Sequence, residues 1–421
     1  MAMVQARPVP YRWLVFCLLA TGYLLVYFHR LSLSVVAVEM MKDLSAGPAL
    51  LGLLGSAYFY PYALMQIPAG LLSDSWGPRR TITVFFLMAG AAAILFGLAP
   101  SVLWAIVART FVGLGVATMF VPTMKVLTHW FKRDDFSIMA GILMAVGGLG
   151  VLCAAYPMAY LSNLLGWRGS FIAIGVVTLV LGICIWFLVR NTPEEKGYPP
   201  VEVIRKSEKA EAIPLYQGMR MVLAQSSFWP LAIWFFFTCG IFFSFGGLWG
   251  GPYLQHVYHM SKAEAGKVLN MLALAMILGC PLLSYLSDRI LHSRKKLIVG
   301  CSILMVVLTG ILAFYPAGMS RTMLYLFCIL LSLGSSAIVV VAFTSCKELF
   351  PVSIAGTSVG LINFFPFIGG AITMPILGLL IKKYGDSPYP PEAYGQAFVV
   401  LLIWAVLALA ASIFTEDTIH S

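Results

Sequence analysis

Long uninterrupted runs of apolar residues alternate with short polar segments along the chain. Each run holds roughly 20 residues, which is the length that a helix needs to cross the hydrocarbon core of a bilayer. The runs lack the strict alternation of a barrel strand, so helices are the structure that satisfies their backbone in lipid. The pattern predicts an all-α membrane protein with twelve transmembrane helices. The predicted spans are 13–38, 50–72, 80–99, 103–127, 138–162, 169–190, 228–250, 266–287, 297–316, 322–345, 355–381 and 395–415.

One polar stretch is much longer than the others and divides the chain in two. We expect an N-terminal six-helix bundle over residues 1–190, a cytoplasmic linker over 191–226 and a C-terminal six-helix bundle over 227–421. The end of the linker, Pro214 to Gln225, has the pattern of a short amphipathic helix on the membrane surface. The linker holds Pro193, Glu194, Glu195, Lys196, Pro199, Pro200, Arg205, Lys206 and Lys209.

Composition and charge support a membrane location. The 421 residues are 60% hydrophobic and 10% charged, whereas soluble proteins have roughly 25% charged residues. The net charge of +10 comes from basic residues in short loops, so we expect the lipid bilayer, and no nucleic acid, as the partner. Of the 27 Lys and Arg residues, seventeen fall on the side of the N-terminus, seven on the opposite side and three inside spans. Both termini are therefore expected in the cytoplasm, and the compact loops favour a bacterial inner membrane.

The two halves contain related loops. The loop after the second span reads GLLSDSWGPRR and the loop after the eighth reads SYLSDRILHSRKK. Aligning Asp74 with Asp288 gives an offset of 214 residues, about half the chain. Both loops fall on the same side of the membrane, so the two six-helix repeats are predicted to be parallel.

The first loop carries a specific motif. Residues Gly70 to Arg80 fit G-x-L-x-D-x-x-G-x-R-R at every position, and this loop resembles the signature loop of the major facilitator superfamily. The resemblance implies that family's fold of two parallel six-helix repeats and a role in gating the cytoplasmic side. Gly77 permits a tight turn, and the two arginines are expected to pair with the aspartate. The gating residues are then Gly70, Asp74, Gly77, Arg79 and Arg80, with Asp288 in the second copy.

The fourth span holds two basic residues. Arg109 is followed by Gly113 and Gly115 in an R-x-x-x-G-x-G pattern that also resembles the family. A buried arginine is expected to face protein or water, and both a packing role and a coupling role stay open for Arg109. Lys125, near the inner end of this span, either snorkels to the interface or lines the exit path of the substrate.

Arg30 is the main candidate for substrate binding. It lies about 17 residues, or roughly 25 Å, from the start of the first span. It shares one helix face with Tyr23, Tyr27 and Ser34, which recur at i, i+4, i+7 and i+11, and a polar face inside a span predicts a cavity. A guanidinium offers a fork of donors suited to carboxylate or phosphate.

The segment YFHRLSLSVVAVEM also resembles the first helix of two branches of this superfamily. These are the organophosphate–phosphate antiporters and the organic anion symporters. The resemblance implies that Arg30 contacts an anionic substrate. The alternative is a structural ion pair, for which Glu39 and Glu348, both near span ends, are the acids closest to membrane depth.

The C-terminal half offers no matching charge. Adding 214 to Arg30 leads to Ser244, in the neutral segment CGIFFSFGGLWGG. The cavity wall on this side is predicted to be apolar and aromatic. A doubly charged phosphate ester would need more cations, so a carboxylate monoanion fits better. The candidate lining residues are Ser244, Trp249 and Asn363, together with Phe242 and Phe245.

The combined prediction is a monomeric secondary active transporter that moves a small organic anion by alternating access, without a cofactor. No P-loop pattern occurs, so ATP is not the direct energy source. Because no carboxylate lies near the membrane centre, symport of the anion with its own proton is favoured over anion exchange. The other option is a titrating group, either Glu39 or His29, and His29 points about 100° away from Arg30 around the helix.

Other functions stay open at this point. The same fold transports neutral or zwitterionic solutes such as amino acids, peptides or drugs, and Arg30 would then be structural. A membrane sensor without transport activity is a further alternative. An enzyme is not expected, because no HExxH, paired intramembrane acids or Ser/His/Asp grouping lies within the spans. The eight cysteines show no metal-ligand spacing.

Overall fold

A computed structural model describes residues 10–199, 201, 215–351, 354–385 and 388–419, and these residues form helices joined by turns. The helices are α1 Tyr11–Leu31, α2 Leu33–Asp43, α3 Pro48–Leu64, α4 Gln66–Ser75, α5 Pro78–Gly97, α6 Val102–Val116, α7 Phe120–Trp130, α8 Arg133–Ala154, α9 Tyr156–Leu188, α10 Leu215–Ala224, α11 Phe228–Ser244, α12 Gly250–Val257, α13 Lys262–Tyr285, α14 Arg294–Phe314, α15 Arg321–Ser332, α16 Val339–Glu348, α17 Ala355–Ile362, α18 Phe364–Ile381 and α19 Pro391–Ile413. The predicted all-α class is confirmed.

Short breaks join most of these helices into longer spans. The first span is α1 with α2, the second α3 with α4, the third α5, and the fourth α6 with α7. Gly166 has a φ of 68° inside α9, in the left-handed region that glycine tolerates. It separates the fifth span, which is α8 with the start of α9, from the sixth. The ninth span is α14, the eleventh α17 with α18, and the twelfth α19.

Three spans of the C-terminal half contain a turn of π-helix. The seventh span is α11 and α12 with the π turn Phe245–Trp249 between them. The eighth is α13 followed by the π turn Leu286–Leu291, and the tenth is α15 and α16 around the π turn Leu333–Ala337. Ten helical segments of the described chain are long and apolar enough to cross a membrane. Together with the split second and fifth spans, they agree with the predicted twelve-span fold.

Consecutive spans run in opposite directions, which defines two faces. We call the face with residues 11, 188, 291 and 413 the terminal face, and the face with residues 43, 97, 257 and 314 the distal face. The two halves meet along two pairs of spans. α3 of the second span packs along α18 of the eleventh, and α8 with the start of α9 packs along α13.

The helices extend beyond the apolar runs. The eighth span is predicted at 266–287, but α13 begins at Lys262 because Ser261 and Glu264 form a capping box that starts it. In the predicted linker, α10 covers Leu215–Ala224 and packs against α17, close to the expected amphipathic helix. The linker residues Pro200, Arg205, Lys206, Lys209 and Pro214 lie outside the described residues.

Candidate substrate site

Arg30 lies between the two halves, near the middle of the first span, and is 4% exposed. Its guanidinium carbon lies 4.4 Å from the ring centroid of Tyr27 and 4.7 Å from that of Tyr62, both in the N-terminal half. From the C-terminal half, the ring centroids of Phe367 and Phe243 lie 4.9 and 5.7 Å from the same carbon. Four rings from both halves therefore enclose one cation. We call this group the Arg30 site.

The charge of Arg30 has no counter-ion among the residues that the structure describes. None of the six ion pairs in the described part of the chain involves Arg30. Its buried Nε also has no hydrogen-bond partner among the described residues. A cation–π contact contributes about 0.5–2 kcal/mol, which does not replace a carboxylate for a charge that has left water. The site is electrostatically incomplete, and an anion would complete it.

A second arginine fixes the backbone beside the site. Nη1 of Arg109 donates a hydrogen bond to the carbonyl oxygen of His29 over 2.9 Å. Arg109 is 1% exposed, and its guanidinium carbon lies 5.1 Å from the ring centroid of Tyr58. The contact lies where the first span breaks between α1 and α2. This geometry supports the packing and hydrogen-bonding role for Arg109, because it holds the turn of helix that carries Arg30.

The two candidates for proton coupling lie away from Arg30. Nε2 of His29 lies 3.1 Å from Oγ1 of Thr178 in the sixth span, so the ring points into the N-terminal half. The carboxylate of Glu39 lies near the distal end of the first span, 2.6 Å from the ammonium of Lys262. Neither group belongs to the Arg30 site.

Tyr23 and Ser34 share the face of Arg30 but have different neighbours. The ring centroid of Tyr23 lies 5.3 Å from that of Tyr27, so Tyr23 extends the aromatic wall toward the terminal face. The hydroxyl of Ser34 donates to the carbonyl oxygen of Leu248 over 3.3 Å and accepts from the backbone N–H of Gly251 over 2.9 Å. Ser34 therefore joins the halves on the distal side of the site.

The candidates in the seventh span face other parts of the C-terminal half. Ser244 is fully buried and its hydroxyl has no partner among the described residues. The indole N–H of Trp249 donates to the carbonyl oxygen of Met374 over 3.0 Å, which joins the seventh and eleventh spans. The ring of Phe245 packs on that of Phe398 in the twelfth span, with centroids 6.1 Å apart.

Asn363 takes part in the contact next to the site. Its Nδ2 donates to Oε1 of Gln66 over 2.8 Å, from the eleventh span to the second. Gln66 and Asn363 lie one helical turn from Tyr62 and Phe367, on the side of the terminal face. Two amide groups therefore close the site on that side.

Sequence reasoning missed Tyr62, Gln66, Phe243 and Phe367. A signal existed for the first two, since Tyr58, Tyr62 and Gln66 recur every four residues and form a polar stripe on the second span. No such signal marks the phenylalanines, because the chain contains 28 of them.

The predicted pairing of Asp74 with the two arginines of the first signature loop is wrong. The carboxylate of Asp74 pairs with the ammonium of Lys125 at 2.6 Å, and not with Arg79 or Arg80. Nε of Arg79 instead donates to the carbonyl oxygen of Trp186 over 2.9 Å, because α5 starts beside the end of the sixth span. Arg80 is exposed. This pairing places Lys125 at the terminal face and not at the Arg30 site.

The two glycines of this loop have different surroundings: Gly77 lies in the turn and Gly70 lies on a helix face. Gly77 has a φ of 85°, as the predicted tight turn requires. Gly70 faces the fourth span, where an added Cβ would lie 4.0 Å from a methyl carbon of Val121.

The second loop contains an aspartate–arginine ion pair, which the first loop lacks. Arg294 corresponds to Arg80 by the repeat offset, and its Nη1 lies 2.8 Å from the carboxylate of Asp288. The other edge of the guanidinium forms two bonds with Glu348, of 2.6 and 2.7 Å. Glu348 is therefore committed to Arg294 and is no partner for Arg30.

Two parallel six-span halves around a central cation are the architecture of a membrane transporter. The chain belongs to the major facilitator superfamily, because the sequence model described as Major Facilitator Superfamily matches residues 19–374 and 251–419. The resemblance noted in the signature loop is thereby confirmed. The family and the relatives below are transporters and not enzymes, as predicted.

Several curated proteins resemble the chain over most of its length. A probable sulfoacetate transporter of Cupriavidus necator is 26% identical over 394 residues, covering 89% of this chain and 88% of its own. A probable hexose phosphate transport protein of Chlamydia trachomatis is 23% identical, with coverage of 97% and 91%. A D-galactonate transporter of Escherichia coli is 22% identical, with coverage of 91% and 92%.

Solved structures show the same fold. A bacterial homologue of the human lysosomal transporter Spinster superposes with a TM-score of 0.81 at 18% identity, covering 97% of both chains. The nucleoside transporter NupG superposes with a TM-score of 0.72 at 11% identity, covering 94% of this chain.

Proposed function

We propose that this protein is a secondary active transporter of a small organic monoanion, and that the carboxylate of the substrate binds Arg30. The observation that carries the proposal is a guanidinium that has no counter-ion among the described residues and is enclosed by rings from both halves. A ligand at that point contacts both halves at once, as alternating access requires. The relatives named as sulfoacetate and D-galactonate transporters support an organic acid as the substrate.

The charge of the site favours a monoanion. Arg30 is the cation of the site, and the C-terminal half adds the phenyl rings of Phe243 and Phe367. Arg109 is committed to a backbone carbonyl and Lys125 to Asp74. The amides of Gln66 and Asn363 offer hydrogen bonds to polar groups on the rest of the substrate.

The membrane side follows from the distribution of basic residues. Cytoplasmic loops of membrane proteins carry an excess of Lys and Arg. The sequence assigns seventeen to the terminal side, to which the structure adds Lys125, against seven on the distal side. The terminal face is then cytoplasmic, in a bacterial inner membrane, and the protein works as a monomer. The signature loop and its Asp74–Lys125 pair gate the cytoplasmic side.

Energy coupling follows from the chemistry of the site. The Arg30 site contains no carboxylate among the described residues, so no acid side chain there exchanges a proton with the substrate. A deprotonated acid binds the guanidinium, and protonation of that acid releases it. The transported anion then carries its own proton, which is symport.

Thermal-shift measurements on the purified protein test the proposal. Monocarboxylates, dicarboxylates, sugar phosphates, amino acids and uncharged sugars are compared, since a ligand at 100 times its Kd stabilises the folded state by about 2.7 kcal/mol. We expect a monocarboxylate to stabilise most. Arg30→Ala should raise its Kd by about 10- to 100-fold, and Arg30→Lys by less, because lysine lacks the bidentate geometry.

The control is Arg321→Ala, since the side chain of Arg321 is 70% exposed on the distal face. Unchanged affinity in both Arg30 variants would refute the assignment. Stabilisation by an uncharged sugar or an amino acid alone would favour a neutral or zwitterionic substrate.

A further inference from the structure

The two halves are joined mainly on the distal side of Arg30. Most hydrogen bonds between the halves in the described chain lie there, and they come from Ser34, Gln255, Lys262 and Asn270. On the terminal side, the hydrogen bond between the halves in the described residues is that of Asn363 with Gln66. The structure is therefore closed to the distal face. We call this contact region the distal seam.

Glycines let the backbones of the halves touch in this seam, and Gly52 and Gly266 are two of them. A Cβ on Gly266 would lie 2.9 Å from the Cα of Tyr156, and one on Gly52 would lie 2.7 Å from the Cα of Pro375. Both distances are shorter than real Cβ contacts allow. Close backbone packing of this kind contributes van der Waals contact but no electrostatic attraction between the halves.

One ion pair supplies that charge. Of the six ion pairs in the described chain, the pair of Glu39 with Lys262 joins the two halves, and the others lie within one half. The two charged atoms lie 2.6 Å apart, and the side chains are 34% and 22% exposed. The hydroxyl of Ser162 lies 3.2 Å from the carboxylate and 3.1 Å from the ammonium.

The position of Lys262 supports a role across the seam. It is the first residue of α13, where the helix dipole disfavours a cation. The first turn of the same helix attracts anions: it carries Glu264 of its own, and Glu39 adds a second carboxylate from the opposite half. Lys262 is therefore poorly placed for its own helix and well placed for the contact with the other half.

We propose that Glu39, Ser162 and Lys262 form a latch that holds the distal face closed and must separate each time that face opens. This inference rests on the alternating-access function proposed above. The latch joins the first, fifth and eighth spans, so its separation frees the distal ends of both halves together. Glu39 then acts in gating, in place of the proton-coupling role considered from the sequence.

A cysteine in the seam measures the opening without any substrate. Val35 lines a small gap in the distal seam together with Ala155 and Leu269, is 0% exposed, and is close to cysteine in size. The reporter is Val35→Cys in the full chain, labelled with a charged maleimide, and the labelling of the chain without this change is subtracted. The measurement is the labelling rate of Cys at this position in purified protein.

We expect Glu39→Gln and Lys262→Gln each to raise the labelling rate on the order of fivefold. The double variant should match the single ones, because either change removes the pair. The charge swap Glu39→Lys with Lys262→Glu should return the rate toward that of the parent. The matched control is Arg321→Gln, which removes the ion pair of Arg321 with Glu264, within one half on the same face.

Labelling rates equal to that of the control in both single variants would overturn the latch. A raised rate that the charge swap leaves unchanged, with a lower melting temperature, would also overturn it, because these residues would then support the fold alone. The test contains no ligand, so its result is independent of whether Arg30 binds an anion.

Discussion

The hydroxyl of Ser34 donates to the carbonyl oxygen of Leu248, and the two residues are 214 positions apart. The same offset relates Asp74 to Asp288 in the two signature loops. Ser34 therefore touches its own counterpart in the other half, which places this contact at the axis that relates the repeats. Gly52 and Gly266 are also 214 positions apart, and each approaches the backbone of the opposite half. The sequence repeat thus describes a symmetric seam between the halves.

Replacing either of these glycines by alanine should force the distal seam apart. In Gly266→Ala the new methyl would lie 2.9 Å from the Cα of Tyr156 and 3.1 Å from its N, and neither backbone atom moves easily. An overpacked contact of this kind costs about 1–3 kcal/mol, and opening the distal face relieves it. We expect faster labelling of the Val35→Cys reporter and slower transport.

Gly300→Ala is the control for this change, because an added Cβ at Gly300 meets no atom within 4 Å. It removes the backbone freedom of a glycine in a helix, so the free energy of unfolding should rise by about 0.5–1 kcal/mol. Its labelling rate should equal that of the parent. An equal effect of Gly300→Ala and Gly266→Ala on labelling would contradict the argument from close packing.

The sequence predicted features that have either a high energetic cost in the membrane or a distinctive local pattern. Arg30 stands out because an arginine inside a span is expensive, and the repeat stands out because Asp74 and Asp288 share a local pattern. The aromatic enclosure was not predictable in the same way. Which of the neighbours Phe242 and Phe243 meets Arg30 depends on the rotation of the seventh span, which the packing of the other half determines.

Long-range pairing was the second feature that the sequence did not determine. Asp74 pairs with Lys125, 51 positions away on another span, although Arg79 and Arg80 are close in sequence. Ser34 shares a helix face with Arg30, but its hydroxyl forms hydrogen bonds across the distal seam with Leu248 and Gly251. One face of a long helix meets different neighbours at different depths, and a helical period does not distinguish them.

The Asp74–Lys125 pair should control the rate of transport and not the binding of substrate. The pair ties the terminal end of the second span to the fourth, and the carboxylate is 72% exposed, so its loss leaves the fold intact. We expect Asp74→Asn to keep the substrate Kd within about twofold and to slow uptake into proteoliposomes. The swap Asp74→Lys with Lys125→Asp should recover part of the rate.

Lys132→Gln, at an exposed position on the same face, serves as the control and should match the parent. If Asp74→Asn weakens binding as strongly as transport, the loop supports the fold and is not a gate.

The two buried arginines should affect stability in opposite directions. Arg109 donates a hydrogen bond to the carbonyl oxygen of His29, so Arg109→Met should lower the free energy of unfolding by about 1.5–3 kcal/mol. Arg30 is buried without a counter-ion in the described part of the chain, so Arg30→Met should raise the melting temperature of the ligand-free protein. The measurement is thermal unfolding of both variants without ligand. A lower melting temperature for Arg30→Met would show that Arg30 is paired structurally, and the anion site would be wrong.

The energy for uptake should come from a proton that moves together with the anion. An imposed pH gradient, acidic outside, should drive accumulation of the anion in proteoliposomes that contain no internal anion. The accumulation should survive His29→Gln and Glu39→Gln, because the proton moves on the substrate. His29 contacts Thr178 inside the N-terminal half, and Glu39 belongs to the distal latch. Glu39→Gln should therefore change the initial rate through gating while the final accumulation ratio stays the same.

The final ratio and the initial rate separate the competing mechanisms, because a gate changes how fast equilibrium is reached and a coupling group changes where it lies. A variant that loses the accumulation ratio but still exchanges anion would identify its residue as the titrating group. Uptake that requires internal anion and ignores the gradient would show exchange, and symport would be wrong.

Arg30→Lys gives a further check. Its ammonium still binds a deprotonated acid, so its final ratio should equal that of the parent even where its rate falls, since the number of protons carried depends on the substrate and not on the shape of the cation.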